Sequence, residues 1–274
     1  MEKLITNIKP PSGISLGLRE LWQYRELFYF FTWRDIKVRY KQTYLGILWA
    51  LLQPVGMMLI FTFLFSKTWK IDTGPVTYPI FVLSGLICWN LFYSSVSHAG
   101  ESMIQNAHII KKIYFPRLII PCSAMLVALF DFLIAFILFI ALCLFFKQPL
   151  QWIAIIYFPA GMLLSLLAAA GLGFFLAALN VKFRDFRYAL PFLLQVLFFA
   201  SQIIYPLQSV QQSLFKYLLA INPMNAAIEL FRTPLSNIPP DLTIIAIGTS
   251  SALLLLIIGL FYFRKTEAYF ADLA

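Results

Sequence analysis

Six stretches of this chain, at 44–66, 78–98, 118–146, 152–179, 190–207 and 242–263, have the length of a membrane-crossing helix, and Asp131 is the one formal charge inside them. A bilayer core about 30 Å thick takes roughly 20 apolar residues to cross as a helix. Without water to serve the backbone, only helices or a closed barrel can span it. Strand-like alternation is absent, which argues against a barrel. With 61% hydrophobic residues, 12% charged and a mean hydropathy of +0.82, the chain lies far outside the soluble globular range. The expected fold is a single all-α integral membrane domain over 1–274. The third and fourth stretches leave room for tilt, or for interfacial turns at Pro121 and Pro159. Tyr205-Pro206 is expected to end the fifth.

Charge placement supplies an orientation. Sixteen of the 21 Lys and Arg residues fall on one side of a six-span arrangement, eight of them before the first span. The other side receives Lys67, Lys70, Lys147, Lys216 and Arg232. Retained loops are enriched in Lys and Arg, so both termini are expected in the cytoplasm. The N-terminus has no short apolar core with a small-residue cleavage site and reads as mature sequence. Cys88, Cys122 and Cys143 sit singly inside spans and read as packing residues.

The connections are not plain. Over 20–43 the charges and apolar residues interleave, placing Trp33, Ile36, Tyr40 and Tyr44 on one narrow helical face, with Arg34, Asp35, Lys37, Arg39 and Lys41 around the remainder. That pattern predicts an amphipathic helix lying along the membrane surface, either a simple anchor or a gate and partner contact. The connection 101–117 predicts a short helix ending before Pro116, with Ile109, Ile110 and Ile113 offering apolar contact and Lys111 and Lys112 charge to a groove on another protein. His108 reads as a surface residue. The connection 180–188 serves as a charged collar or as a partner contact. The stretch 208–241, half apolar and Pro-rich, predicts short periplasmic helices that dip back towards the membrane, or an ordinary outer cap.

Inside the membrane, Asp131 has no second acid, histidine or arginine at similar depth, and a buried carboxylate there costs several kcal/mol unless paired or protonated. A structural hydrogen bond, a polar conduit and proton coupling all stay open. Gly161, Ser165, Ala169, Gly173 and Ala177, four apart, form a small-residue seam that lets another helix approach closely, in the same chain or a second copy. Trp49, Trp89 and Tyr93 lie within spans, either packing or offering faces to the C–H sides of sugars.

No Gly-x-x-x-x-Gly-Lys-Ser/Thr, Ser/His/Asp set or His-Glu-x-x-His is present, and the chain has two histidines. Catalysis by this chain alone is therefore not expected. An uphill transporter without its own energy source borrows one from another subunit.

Four segments taken in order, WRDIKVRYKQTYLGILWALLQP (33–54), IKKIYFPR (110–117), NVKFRDFRY (180–188) and INPMN (221–225), resemble the membrane subunits of ABC exporters of the second permease class. The likeness is greatest to those that export lipid-linked polysaccharides such as O-antigen, capsule or teichoic acid, and it runs over nearly the whole chain. It implies a multi-pass inner-membrane protein, paired as a homodimer with two separate ATP-binding subunits that carry the ATP and Mg, and no cofactor in this chain. It makes Asn106, His108, Ile109, Ile110, Lys111, Lys112 and Ile113 the element that docks on the ATPase. Trp33, Arg34, Lys37, Tyr40, Lys41 and Tyr44 would then help admit substrate, while Trp49, Trp89, Tyr93 and Asp131 would line a polymer-wide channel. An exporter of a drug or lipid, a membrane-embedded transferase and a structural membrane protein are the rival readings.

Overall fold

A computed structural model describes residues 18–41, 46, 48–69, 73–183, 185–209, 212–236, 238–267 and 270. The described residues form helices and connecting turns, in agreement with a sequence that must satisfy its backbone internally. Two N-terminal helices, α1 (Leu18–Gln23) and α2 (Arg25–Lys41), precede α3 (Leu48–Phe61), which continues as π-helical turns over Thr62–Trp69. Then follow α4 (Tyr78–Gln105), the short α5 (Ala107–Ile110), α6 (Ile119–Phe145), α7 (Ala154–Lys182) and α8 (Phe186–Phe199). The chain closes with α9 (Ser213–Ala220), α10 (Pro223–Ser236) and α11 (Leu242–Glu267). Tyr44 of the expected surface helix lies outside the described residues.

Among the described residues, five stretches are long and apolar enough to cross a membrane: Leu48–Phe65, Tyr78–Gln105, Ile119–Phe145, Ala154–Lys182 and Leu242–Glu267. The fifth expected span, at 190–207, is different. Its helix starts earlier, at Phe186, and stops at Phe199, well before Tyr205-Pro206. Fourteen residues rise only about 21 Å. The helix stops there because side chains from further along the chain take over its backbone groups. Asn225 donates through Nδ2 to the Ala200 carbonyl at 3.1 Å and accepts from the Gln202 N–H at 2.6 Å.

The core is organised around α4. Of its most apolar window 78% is buried, against 11% for the first span. α6, α7 and α10 pack around α4, while α11 packs on the far side of α7. The small-residue seam explains part of this arrangement. A spacing of four advances about 40° per step on a helix, so the row winds round α7 and meets two neighbours instead of one. A Cβ on Gly161 would stand 2.8 Å from the Phe231 ring and 2.9 Å from the Ala227 carbonyl of α10. At Gly173 it would stand 3.0 Å from Ala99 of α4. Ser165, Ala169 and Ala177 are buried in the same chain. The seam is thus filled internally. A second close approach, not visible as a pattern, brings Gly171 of α7 against Leu255, Leu256 and Gly259 of α11.

At the end of the bundle where α4 begins, buried Gln148 ties its own connection to the one before α4 and to the last turn of α10, donating to the Pro75 and Leu235 carbonyls and accepting from the Thr77 N–H. Asp241 caps α11 by accepting from the Thr243 and Ile244 N–H groups and pairs with Lys216 of α9 at 2.8 Å. The hydrogen bond from Lys216 holds this carboxyl below its ordinary pKa, and the capped N–H groups add to the effect. A depressed pKa stabilises the fold above the unfolded carboxylate pKa and ceases to do so as pH falls through the folded value. Lys216→Met is therefore expected to lower the melting temperature near neutrality, by no more than about 1 kcal/mol of stability because the pair is partly exposed. The gap from wild type should close as the pH is taken below about 4. A gap independent of pH would mean that Lys216 acts by packing alone.

Candidate functional site

The functional candidates gather where the N-terminal helix meets the bundle. α2 packs against the bundle, chiefly along α6. Phe31 packs against Phe115 with ring centroids 5.8 Å apart, and Tyr40 meets Phe130 at 6.0 Å. The helix therefore runs beside α6 until its C-terminal end stands level with the middle of a span. The narrow face of Trp33, Ile36, Tyr40 and Tyr44 does not act as a unit: Tyr40 meets the protein and Trp33 does not. Phe31 is buried and Trp33 points outward, stacked with Tyr29. Lys37 caps the outer face of the Trp33 ring at 5.1 Å, and Lys41 is exposed beyond it.

This placement answers the question of Asp131. Arg39 Nη2 pairs with Asp131 Oδ2 at 2.9 Å, and the Tyr40 hydroxyl donates to Oδ1. The carboxylate, for which no arginine was expected at similar depth, has an arginine and a tyrosine as partners, both from a helix that the sequence pattern assigned to the surface. An ion pair with a hydroxyl on the second oxygen offsets most of the cost of a charge at this depth. Alongside lies a cavity of about 310 Å³, lined by Arg39, Trp49, Gln53, Asn90, Ser94 and Asp131 among others. Polar amides and hydroxyls converge there on one exposed indole. Trp49 and Tyr93 have open surface in the single chain. Trp89 does not, its ring being packed against Phe92 at 5.4 Å and Phe198 at 5.5 Å.

The second element is the turn after α4. Its helix, α5, has four residues and gives way to an open segment from Lys111. Ile110 is buried in the core, Ile109 is half-buried, and Lys111, Lys112, Ile113 and Tyr114 are exposed, as is His108. The apolar contact open to a partner is therefore Ile113 with Tyr114, a residue that no periodicity marks out. Asn106 anchors the turn. It donates to the Ser102 carbonyl and accepts from Arg34 Nη2, each at 2.9 Å. Arg34, braced by Asp35 at 2.7 Å, thereby bonds the N-terminal helix to the turn. At its other end the turn is held by Arg117, which bonds Glu267 near the end of α11. In the collar, Arg187 pairs with Glu101 of α4 at 3.5 Å.

At the opposite end of the bundle the INPMN segment opens α10. Asn222 accepts from the Met224 N–H and donates to Ser201, and Pro223 occupies the first helical position, where no N–H is needed. Short helices are thus present where 208–241 predicts them.

The model of the ABC-2 type transporter family matches residues 26–235. The chain belongs to that family. The match begins at the start of α2 and ends in α10, so the Arg39–Asp131 pair, the Arg34–Asn106 bond and the INPMN turn all fall within the ABC-2 region of this chain. The chain is similar to the O-antigen export system permease protein RfbA of Myxococcus xanthus, 33% identical over 208 residues that cover 76% of this chain and 79% of the relative. A protein of the same name from Klebsiella pneumoniae is 28% identical over 250 residues, 90% of this chain and 95% of that one. The polysialic acid transport protein KpsM of Escherichia coli is 29% identical over 208 residues, 73% and 77% of the two chains. The ABC-2 assignment agrees with the resemblance that the four segments carry, and with multiple apolar membrane helices.

Proposed function

We propose that this chain is the membrane-spanning subunit of an ATP-driven exporter, two copies of which form a channel that carries a lipid-linked, O-antigen-like polysaccharide across the cytoplasmic membrane. The observation that carries the reading is the hydrogen bond between Arg34 and Asn106. It joins the helix beside the polar cavity to the exposed turn that offers Lys111, Lys112, Ile113 and Tyr114. A push on that turn reaches α2, and through Arg39 the wall of the cavity, without crossing a flexible link. The names of the relatives supply the polysaccharide class.

In this reading both termini are cytoplasmic, α8 enters the membrane as the fifth of six helices, and α9 and α10 form a gate on the periplasmic side. Two separate ATP-binding subunits grip the Ile113 turn, and their closure on ATP drives it against α2. The lipid-linked sugar is admitted beside Trp33, Arg34, Lys37, Tyr40 and Lys41 and passes Trp49, Tyr93 and the Asp131 cluster. The sparsely covered first span, with Trp49 on it, faces the second copy.

Affinity purification of the tagged chain from native membranes tests this directly. An ATP-binding subunit is expected in equal amount, with ATP hydrolysis in the eluate. Ile113→Asp combined with Tyr114→Asp, which touches only exposed side chains, should cut its recovery about tenfold or more, as loss of an interface anchor does. Recovery of the chain without any ATP-binding subunit would remove the energy source and the reading with it.

A further inference from the structure

A second polar cavity, of about 260 Å³, lies at the other end of α4, walled by α10 and by the turns at 73–76 and 202–208. Its most unusual members are Glu229 and Arg232, one helical turn apart on α10 and both only 6% exposed. The Arg232 guanidinium carbon stands over the Phe81 ring, 3.4 Å from its centroid. Its Nη2 donates to the Phe81 and Ile203 carbonyls at 3.0 Å, and its Nε donates to Ser84 at 3.3 Å. Nη1 has no hydrogen-bond partner among the described residues. Glu229 accepts one bond on each oxygen, from Gln202 at 3.1 Å and Gln208 at 3.3 Å. A carboxylate offers about four lone-pair directions, so it has capacity left over. No ion pair joins Glu229 to Arg232 among the described residues, although they line the same cavity.

The result is a buried wall in which one guanidinium nitrogen lacks a partner among the described residues and one carboxylate has acceptor capacity left, with the hydroxyls of Thr73, Thr233 and Ser236 nearby. Such a wall suits a ligand whose every polar group both donates and accepts, which is a hydroxyl. An anionic group brings acceptors alone and would meet the Glu229 carboxylate at low dielectric. We propose that the Glu229–Arg232 cavity binds a neutral sugar residue of the exported glycan, through hydroxyls that donate to Glu229 and accept from Arg232. The proposal rests on the exporter reading and adds to it a sugar-binding step at the outer end of the bundle.

The test uses the full chain with its co-purified ATP-binding subunit in lipid nanodiscs. Saturation-transfer NMR is recorded with methyl α-D-mannopyranoside, α-D-glucopyranoside, α-D-galactopyranoside and α-L-rhamnopyranoside, and with N-acetylneuraminic acid. Binding of inorganic phosphate is followed by its ³¹P line width. Substitution of Arg232 also removes bonds to two carbonyls, so the deciding variants are milder. Ile238→Trp fills the mouth from a half-exposed position, and Ser236→Ala removes one hydroxyl; both are first checked for unchanged elution and melting temperature. At least one neutral glycoside should give transfer that vanishes in Ile238→Trp and weakens about fivefold in Ser236→Ala, the effect of one lost hydrogen bond. Binding of N-acetylneuraminic acid or phosphate without any neutral glycoside would overturn the proposal. So would no signal at all, or a glycoside signal that Ile238→Trp leaves intact. Failure of the exporter reading shows separately, as absence of the ATP-binding subunit from the preparation.

Discussion

Replacing Arg39 by alanine is expected to destabilise the protein more than replacing Asp131 by asparagine, although both break the same ion pair. Arg39→Ala strands a carboxylate whose side chain is only 15% exposed, and leaves it the Tyr40 hydroxyl as its one compensation. Asp131→Asn removes the charge at depth and leaves a guanidinium that is 39% exposed and able to find water or lipid headgroups. Breaking a fully buried pair costs about 3–5 kcal/mol, and the open side of Arg39 reduces the figure here to about 2 kcal/mol. Tyr40→Phe, losing one hydrogen bond to a charged group, should cost roughly 1.5 kcal/mol. Because the two charges act on each other, the double variant Arg39→Ala with Asp131→Asn should recover most of the Arg39→Ala loss. Thermal unfolding of the purified variants measures this coupling, and simple additivity would show that the pair is not a brace. Export measured alongside separates two roles: a stable Asp131→Asn protein that no longer exports would place the carboxylate in the path of the substrate.

The pair also shows which features a sequence conceals. Apolar windows are a local property, and they located α3, α4, α6, α7 and α11 because length and hydropathy are decided within each segment. Asp131 was recognisable as costly, but its partner lies 92 positions earlier, on a helix whose alternating charges suggest the membrane surface. Nothing in the spacing of Arg39 and Tyr40 reports that α2 runs beside α6. The end of α8 failed to show for a related reason. Residues 200–207 are apolar enough to continue a span, and it is Asn225, beyond a separate helix, that bonds the chain out of helical form there. In the turn after α4, three isoleucines look alike as sequence. Only packing separates Ile110, which the core holds, from Ile113, which it leaves open.

The small-residue seam was legible because its members repeat every fourth position. Gly171 was not, because it lies about 200° round the helix from both Ala169 and Gly173 and has no repeat of its own. Yet the backbone of Gly171 lies directly against that of α11, and Gly171→Val is expected to have the largest effect of any single change in α7. A Cβ there would stand 2.5 Å from the Leu255 carbonyl carbon and from the Leu256 nitrogen. These are backbone atoms, so no rotamer change relieves the clash, and α7 and α11 must separate. Inside a bilayer the separated faces gain nothing from the hydrophobic effect, since lipid tails solvate them as well as a neighbouring helix does, and the lost packing is uncompensated. Overpacking of this kind costs on the order of 3 kcal/mol or more. The damage would also travel, because the end of α11 carries Glu267, which holds Arg117 at the base of the exposed turn. Loss of the monodisperse peak on size exclusion and a large drop in melting temperature are the expected readouts. Gly56→Ala is the control: among the described residues of the single chain, nothing beyond its own helix backbone and chain neighbours lies within 4 Å of its Cβ, and alanine favours the helix over glycine by about 1 kcal/mol. Equal tolerance of both substitutions would mean that α11 does not seat against α7 through Gly171, and would detach the base of the turn from the rest of the bundle.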